Sequence, residues 1–259
     1  MAVAQRVAVV VPAFNEEERI ARVVERIPAW VAHVVVVDDA SSDDTARAAE
    51  DAGQQRTAKL GFRDGSPRVT VLRLTTNRGV GAAIAAGYDV AFATGADVVA
   101  VMAGDDQMDP DDLAAVVAPV VDGAFAYVKG NRFVHADRRR MPLARRLAGS
   151  ALASLTRRAT GLVIDDSQCG YTALAAHAAK SLSLGELWPR YGYPNDLLGM
   201  LAAHGFPVGE VPVRPVYAGE QSGIRPWHAA VVAFVIARRW ALSHDSIARL
   251  MISSAHRRA

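Results

Sequence analysis

Acidic side chains lie at or shortly after the ends of three apolar segments in the first half of the chain. Those segments are Val7–Val11, His33–Asp38 and Val98–Met102. If each is a strand of one parallel sheet, the acids meet at a single edge, where carboxylates repel one another unless a cation or hydrogen-bond donors compensate. Mg²⁺ or Mn²⁺ held by one or two carboxylates together with substrate phosphates is the usual solution. Asp105 and Gln107, just after a strand end and a glycine, are the strongest candidates for such chemistry.

Other acids near these segments have a simpler explanation. Asp43 and Asp44, and the acids around Pro110, are typical of turns and helix starts. The chain has no GxGxxG motif after its first apolar segment and no GxxxxGKS/T motif anywhere. Because dinucleotide-binding and P-loop proteins hold phosphate with those loops, both classes are disfavoured.

The apolar segments alternate with helical patterns, and a further apolar run at Val69–Leu72 belongs to the same series. The helical patterns are Glu16–Arg26, Asp44–Ala52, Gly79–Thr94 and Asp111–Val121. Continuous β-branched runs are typical of parallel strands that are covered on both faces. The alternation therefore predicts an α/β fold with a doubly wound, mostly parallel sheet, whose ligands bind at the carboxyl ends of the strands.

The second half of the chain is less regular. We predict a strand at Ala124–Gly130, a basic helix at Ala136–Thr160, a helix at Asp196–His204 and an edge strand at Val208–Val216. The polar stretch Gln54–Ser66 is predicted to be a surface loop. The last part of the chain is expected to form one or two helices.

The composition of the 259 residues excludes several classes of protein. Hydrophobic residues make up 51% and charged residues 22%, which is incompatible with a disordered chain. A formal net charge of +2 argues against a protein that coats nucleic acid. The single cysteine, Cys169, excludes an intramolecular disulfide and a multi-cysteine zinc site. The sequence shows no signal peptide and no uninterrupted apolar stretch of about 20 residues. We therefore expect a cytoplasmic protein.

Seven short motifs occur in the order seen in one enzyme family. They are VPAFNEEE, VVVDDASSDDT, NRGVGAA, MAGDDQMDP, VKGNRF, DSQCGYTAL and GEVPVRPVY. The chain resembles glycosyltransferase family 2, and most closely its dolichol-phosphate (polyprenol-phosphate) mannose/glucose synthase branch. The resemblance extends from about Val7 to Arg225. Each motif alone is weakly specific, whereas the full set in order is strongly specific.

This resemblance implies a GT-A fold, a Rossmann-like, mostly parallel sheet flanked by helices, here with C-terminal amphipathic helices. It implies a GT-A domain at residues 1–225, with a nucleotide-sugar half at about 1–123 and an acceptor half at about 124–225. Residues 226–259 form the expected helical tail. The implied reaction transfers a hexose from a nucleotide-sugar to a lipid phosphate and inverts the anomeric centre.

The resemblance also implies a donor site and a metal site. Residues that match the segment cradling base and ribose are Pro12, Ala13, Phe14 and Glu16, and those that match the acids reading the base edge are Asp38 and Asp39. The motif for metal and diphosphate matches Gly104, Asp105 and Gln107, the last two at metal-ligand positions. The implied cofactor is Mg²⁺ or Mn²⁺.

Three residues are implied in catalysis by the same resemblance. Arg132 matches a basic residue that touches the donor phosphates, and Asp166 matches an acid near the reacting centre. Ser222 and Arg225 match a loop that closes over the diphosphate, so Ser222 is expected to bind the donor and Arg225 to assist the leaving group.

The chain departs from the family pattern at three places. Ala103 occupies the position of the first acid in the usual Asp-x-Asp motif, Asn195-Asp196 replaces an acceptor-side glutamate, and Arg225 stands where lysine is common. The first departure suggests the alternative of a catalytically weak protein that binds nucleotide-sugars as a scaffold.

The chemistry of transfer leaves the acceptor open. A phosphate acceptor is already ionised near neutral pH and needs no strong base, so positioning and electrostatics would suffice. An alcohol acceptor would need a well-placed carboxylate as general base. Asp166 or Asp196 could serve in that role.

No acid occurs between Arg138 and Ile164, where arginines alternate with leucines. A basic amphipathic segment of this kind is typical of helices on anionic membrane surfaces. The residues predicted to hold the acceptor phosphate or the membrane are Arg138, Arg139, Arg145 and Arg146. A solvated helix face is the alternative; nucleic-acid binding is disfavoured because no aromatic residues are interleaved.

The segment Trp227–Trp240 is apolar, with a tryptophan at each end and Arg238-Arg239 near the second. Tryptophan and arginine are typical of the headgroup layer, so we favour an interfacial helix. A helix packed into the core is the alternative.

These observations predict an inverting, metal-dependent transfer of a hexose from a GDP-mannose or UDP-glucose type donor to polyprenyl or dolichyl phosphate. The expected location is peripheral, at the inner face of the cytoplasmic membrane. The alternatives are a transferase for a soluble or glycan acceptor, the scaffold suggested by Ala103, and a nucleotidyltransferase, which the lack of a basic glycine-rich loop disfavours. The sequence does not distinguish the sugar, the base or the oligomeric state.

Overall fold

The computed structural model describes residues 6–60, 68–216 and 230–241. Within these residues the strands are β1 (Val7–Ala13), β2 (His33–Asp38), β3 (Val69–Arg73), β4 (Val98–Val101), β5 (Tyr127–Asn131), β6 (Thr172–Ala175) and β7 (Val208–Pro212). The helices are α1 (Ile20–Arg26), α2 (Thr45–Leu60), α3 (Val80–Ala93), α4 (Leu113–Val121), α5 (Leu143–Thr160), α6 (Ala176–Ser181), α7 (Tyr193–Ala203) and α8 (230–241). Short 3₁₀ turns occupy Pro110–Asp112, Ala136–Arg140 and Leu184–Glu186.

All the described strands form one sheet in the order β3-β2-β1-β4-β6-β5-β7. β1 pairs in parallel with β2 and β4, and β2 with β3, whereas β6 is antiparallel to both of its neighbours. β7 is parallel to β5 at the sheet edge, as its prolines predicted. The predicted mostly parallel sheet flanked by helices is confirmed, and strands of both predicted halves belong to it.

The valine-rich strands are buried on both faces because helices cover each side of the sheet. Val9 and Val11 of β1 face a layer that includes α1, α2 and α4, whereas Val10 faces α3 and α7. Gly87 of α3 lies so close to β1 that a Cβ there would be 2.3 Å from a Val10 methyl carbon. This double coverage explains why the strands are continuous apolar runs without alternation.

The pairing register brings the strand ends to one edge. Ala13 is paired with Asp38, and the chain beyond them continues the ladder, since the Asp39 amide donates to the Ala13 carbonyl at 2.9 Å. On the other side of β1, the Gly104 amide donates to the Pro12 carbonyl at 3.1 Å. The acids that follow β2 and β4 are therefore held on either side of the end of β1.

Two sequence predictions of local structure need correction. The predicted surface loop Gln54–Ser66 is helical as far as Leu60, and residues 61–67 lie outside the described part. Arg56 is buried there and donates to the Ile27 carbonyl at 2.5 Å, so a polar side chain that suggested a loop instead binds the end of α1. Strand β6 was missed because its four residues, TALA, lead directly into a helix.

The predicted basic helix at Ala136–Thr160 is divided into two parts. A 3₁₀ turn at Ala136–Arg140 is followed by α5, and Pro142 lies at the break between them. α5 ends at Gly161, whose φ of 73° is the left-handed conformation that favours glycine.

Helix α8 packs one face against the body of the molecule. Val232, Val235 and Ile236 are buried, and the Arg239 side chain covers Gly199 of α7, where a Cβ would be 2.3 Å from its Cγ. The structure thus favours the packed alternative for this part of the tail. No helix among the described residues has the length and hydropathy that crossing a bilayer requires.

Candidate functional site

A cavity of about 480 Å³ opens at the carboxyl ends of β1, β2 and β4. Most of the residues predicted to bind the donor line it, namely Pro12, Ala13, Phe14, Glu16, Asp39, Gly104 and Asp105. We refer to this space as the first cavity. Its volume is in the range of small-molecule and cofactor sites.

Asp38 is not among the residues that line the first cavity. Its carboxylate is 5% exposed and accepts a hydrogen bond from the Ser41 amide at 3.1 Å and another from the Ser41 hydroxyl. The Ser41 hydroxyl in turn accepts from the Asn15 amide at 2.9 Å. Asp38 therefore stabilises the loops beside the cavity, and a direct contact with the donor stays a prediction.

Asp39 both lines the first cavity and fixes the start of α3. Its two carboxylate oxygens accept hydrogen bonds from the backbone amides of Arg78 and Gly79, each at 2.7 Å. Unpaired amides at a helix N-terminus bind carboxylates well because the helix dipole adds to the hydrogen bonds. Asp39 consequently joins the end of β2 to the wall of the cavity.

A second, smaller cavity of about 90 Å³ adjoins the first. Asp105 lines both cavities, whereas Gln107, Arg132, Arg145 and Arg214 line only the second. Asp105 and Gln107 follow β4, Arg132 follows β5, Arg214 follows β7, and Arg145 lies at the start of α5. The second cavity therefore combines the predicted metal residues with arginine side chains.

The turn after β4 separates two neighbouring acids. The Asp105 carboxylate accepts a hydrogen bond from the Gln107 amide at 3.0 Å and stays at the cavities. Asp106 has a φ of 58° and points away, into ion pairs with Arg22 at 2.6 Å and Arg26 at 3.0 Å. Only Asp105 of the pair thus lines the first and second cavities, whereas Asp106 lines a separate cavity together with Arg26 and Arg214.

The residues at this turn fit a divalent cation that shares its coordination with a phosphate ligand. Among the described residues, no group of three or more histidine, cysteine or acidic side chains could hold a metal ion by itself. Asp105 and Gln107 offer a carboxylate and an amide oxygen at the junction of two cavities. A donor set this small is typical of Mg²⁺ sites in which substrate phosphates complete the shell.

Asp166 and Arg132 form an ion pair at the second cavity, in which Asp166 is fully buried and Arg132 lies on the cavity wall. Arg132 donates from Nε and Nη2 to the two oxygens of Asp166 at 2.7 and 2.9 Å, and its backbone amide donates at 3.1 Å. Burial alone would raise the pKa of Asp166, but the charge and hydrogen bonds of Arg132 outweigh it and hold that pKa below its ordinary value. Asp166 therefore orients Arg132 and is a poor proton acceptor.

The other candidate base, Asp196, is also occupied. It is fully buried, and its two oxygens accept hydrogen bonds from Nε and Nη2 of Arg239 at 2.7 and 2.8 Å. The preceding Asn195 accepts from the Gln168 side chain and donates to the Thr156 hydroxyl. A guanidinium therefore covers the Asp196 carboxylate, an arrangement that disfavours a role as general base.

Comparison with known proteins decides the family. A family model described as Glycosyl transferase family 2 matches residues 8–170.

The chain belongs to glycosyl transferase family 2. A UDP-N-acetylglucosamine--dolichyl-phosphate N-acetylglucosaminyltransferase of Methanococcus voltae is 28% identical over 212 residues, which cover 80% of this chain and 84% of that protein. An undecaprenyl-phosphate mannosyltransferase of Micrococcus luteus is 29% identical over 253 residues, covering 92% and 95%.

A solved structure adds a similarity of fold. The crystal structure of glucosyl-3-phosphoglycerate synthase of Mycobacterium tuberculosis superposes with a TM-score of 0.65 at 22% identity, covering 92% of this chain and 81% of that one. It confirms the GT-A fold that the motifs imply. The protein is a glycosyltransferase, and its first cavity lies where the family motifs converge.

Sequence analysis of this family 2 transferase missed two charged residues inside strands, one fully buried and one half-buried. Lys129 of β5 is fully buried and its Nζ has no hydrogen-bond partner within the described residues, so burial lowers its pKa, against the opposing charge of Asp166. Glu210, paired with it across β7, accepts from the Asp165 and Asp166 amides at 2.9 and 2.8 Å, and burial raises its pKa. The signal available in the sequence was one charged residue inside each of these two strands.

The arginines predicted to hold the acceptor phosphate or the membrane are divided between the second cavity and the protein surface. Arg145 lines the second cavity, whereas Arg138 and Arg139 are exposed on the 3₁₀ turn and Arg146 is half-buried. Leu143 and Leu147 of α5 are 65% and 64% exposed. One predicted arginine is thus brought to the site, and its helix presents leucines to the outside.

Three residues with predicted roles, Ser222, Arg225 and Trp227, lie outside the described residues. Their predicted contacts with the donor diphosphate and with the membrane stay predictions.

Proposed function

We propose that this transferase moves a hexose from a nucleotide-sugar of the GDP-mannose or UDP-glucose type to polyprenyl or dolichyl phosphate, with inversion at the anomeric carbon. The first cavity would bind the donor. Phe14 is 47% exposed at its rim, where its ring is available to stack on a nucleobase, and Glu16 and Asp39 line the same space.

The metal residues would act on the leaving group. Asp105 and Gln107 would hold Mg²⁺ or Mn²⁺, whose charge stabilises the diphosphate that leaves the sugar. Arg132, oriented by Asp166, would donate charge-assisted hydrogen bonds toward the same space. Because Lys129 and Arg132 both lie near Asp166, the buried acid is compensated without taking up a proton.

The observation that carries the choice of acceptor is the occupation of both candidate bases. Asp166 is bound by Arg132 and Asp196 by Arg239, so neither supports deprotonation of an alcohol. A phosphate acceptor needs no such base, since its oxygen is already anionic. Arg132 and Arg145 lie on the wall of the second cavity beside Asp105, so their guanidinium charges are near a phosphate bound there.

The lipid part of the proposal rests on relatives and on α5. The relatives from Methanococcus voltae and Micrococcus luteus are named as transferases for dolichyl phosphate and undecaprenyl phosphate. On α5, exposed leucines neighbour Arg145 and Arg146, a combination that suits an anionic bilayer surface. We therefore place the enzyme peripherally at the inner face of the cytoplasmic membrane, with the lipid phosphate entering the second cavity.

The lining of the cavities also supports the proposed division of residues 1–225. The first cavity is lined mainly by residues before 123, and the second mainly by residues after it. The tail at 226–259 is proposed as a separate helical segment, of which α8 is packed on the domain.

The test is a transfer assay with purified protein and radiolabelled GDP-mannose or UDP-glucose, Mg²⁺ or Mn²⁺, and polyprenyl phosphate. Parallel reactions contain 3-phosphoglycerate or an oligosaccharide in place of the lipid. Label that enters the organic phase and disappears with EDTA is the expected result. Label found only in the soluble phosphate or the oligosaccharide would contradict the lipid acceptor, and donor binding without any transfer would favour the scaffold.

A further inference from the structure

The loop at residues 188–191 forms one side of the first cavity, although it lies outside the stretch matched by the family model. Arg190 and Tyr191 line the cavity together with Asp39 and Asp105. The Pro189 carbonyl accepts hydrogen bonds from the amides of Gly81 and Ala82 at 2.8 and 3.1 Å. The loop is therefore joined to the N-terminus of α3, the same helix end that Asp39 binds.

Two glycines at the start of α3 make this close approach possible. A Cβ at Gly79 would lie 2.6 Å from both Cγ of Arg190 and the Pro189 carbonyl oxygen, and the φ of Gly79 is 93°. A Cβ at Gly81 would lie 2.1 Å from the Trp188 carbonyl oxygen. Any other residue at these positions would displace the loop, because the neighbouring atoms are mostly backbone.

Contacts with α7 and α8 hold this loop in place. The Trp188 amide donates to Asp196 Oδ2 at 2.9 Å, and the same carboxylate is bound by Arg239 of α8. The Trp188 ring also lies edge-to-face with Phe234 of α8, with ring centroids 6.1 Å apart. A chain of contacts thus connects α8 through Asp196 to the wall of the first cavity.

Arg190 carries the charge on this wall. Its side chain is exposed, and its guanidinium donates to the Asn77 side chain and backbone at 3.3 and 3.4 Å. Both bonds are long and go to the neutral Asn77, and among the residues that the structure describes no acid is paired with Arg190. Because Asp39 and the Pro189 carbonyl already bind amides at the start of α3, the charge that this wall offers to an anionic ligand is the Arg190 guanidinium.

The geometry points to Arg190 as a donor-binding residue that contacts the anionic nucleoside diphosphate part of the donor, with Asp196 and Arg239 as positioning residues for its loop. This inference rests on the proposed function, since the ligand is the donor of that reaction. It assigns to the former candidate base, Asp196, a role in donor affinity instead of proton transfer.

Calorimetric titration with UDP and with GDP in the presence of Mn²⁺ tests the contact directly. The nucleotide that the wild type binds is expected to bind Arg190→Gln about tenfold more weakly, the loss of one charge-assisted contact, and Arg190→Lys in between. Ala237→Gln, at an exposed position of α8, is the matched control and is expected to bind like the wild type.

Steady-state kinetics tests the positioning role. Arg239→Lys is expected to raise the donor KM several-fold while kcat changes by less than about twofold, because a single ammonium cannot reproduce the bidentate pair. Asp196→Asn is the second variant, and thermal melting of both shows that the folded enzyme is being compared. A several-fold fall in kcat with an unchanged donor KM would overturn the positioning role.

The outcomes separate this inference from the proposed function. If the wild type binds a nucleoside diphosphate and transfers sugar but Arg190→Gln binds it equally well, only the inference fails. If the wild type binds neither UDP nor GDP, the proposed function fails and the inference fails with it.

Discussion

Helices α5 and α8 both combine apolar side chains with two adjacent arginines near their C-terminal ends, Arg157-Arg158 and Arg238-Arg239. In α8, Arg239 is 14% exposed and binds the fully buried Asp196. In α5, Arg158 is exposed and Arg157 binds the exposed Asp165 at 3.0 Å. Sequence analysis assigned both helices to the membrane surface, yet their arginines have opposite surroundings.

The difference lies in what the rest of the fold presents to each helix. Asp196 is 43 positions from Arg239 along the chain and becomes its partner only when α7 and α8 pack together. All of α5 lies in the stretch from Arg138 to Ile164, which contains no acid. Composition therefore identifies an amphipathic basic helix, whereas a distant acid decides whether its charges are structural or available to a ligand.

The largest expected effect is on stability, from the arginine of α8. Arg239→Gln leaves a buried carboxylate without its guanidinium, and breaking a buried pair in this way typically costs about 3–5 kcal/mol of unfolding free energy. Denaturant unfolding measures the loss. Arg158→Gln, on the exposed end of α5, is the matched control, with an expected change within about 0.5 kcal/mol. Equal stability of the two variants would remove the contrast between the helices.

The next effect concerns the exposed leucines of α5. The double variant Leu143→Ser and Leu147→Ser is expected to weaken binding to anionic vesicles by tenfold or more, since each leucine contributes about 1.5–3 kcal/mol when fully buried in an apolar medium. Vesicle sedimentation measures the binding, and the melting temperature should stay near that of the wild type. Leu155→Ser, further along the same helix, serves as the control. Unchanged sedimentation of the double variant would show that α5 faces water.

The smallest effect separates two neighbouring arginines of α5. Arg146→Gln is expected to weaken binding to anionic vesicles by about 1 kcal/mol, and added salt should reduce the difference. Arg145→Gln should also raise the KM for the acceptor, because Arg145 lines the second cavity and Arg146 does not. Transfer kinetics with polyprenyl phosphate distinguishes the two. An acceptor KM that rises equally in both variants would mean that the cavity does not select the phosphate.

Features fixed by local pattern could be predicted from the sequence. Val7–Ala13, His33–Asp38 and Val98–Val101 are strands because they are continuous β-branched runs, and their common direction brings Asp39 and Asp105 together. The family motifs then located the first cavity. All of this depends on residues close together in the chain or on one rule of sheet topology.

Features that depend on distant partners could not be predicted. Asp166 and Asp196 were both candidate general bases in the sequence analysis. Only the folded structure shows that a guanidinium binds each carboxylate. Arg56 resembled a loop residue in the sequence. Its three carbonyl partners lie at and just after the end of α1 and are brought to it only by folding. Likewise, Arg190 reaches the donor cavity through packing between α3 and a loop more than a hundred residues away.

The most direct test of the proposed metal-dependent transfer compares the two neighbouring acids after β4. Asp105 lies at both cavities, whereas Asp106 is bound by Arg22 and Arg26. Transfer of labelled sugar to polyprenyl phosphate is measured for Asp105→Asn and Asp106→Asn over a range of Mn²⁺ concentrations. We predict that Asp105→Asn loses transfer by a factor of about 100 or more with an unchanged melting temperature, while Asp106→Asn keeps it and melts lower. Near-wild-type, Mn²⁺-dependent transfer by Asp105→Asn would contradict the account.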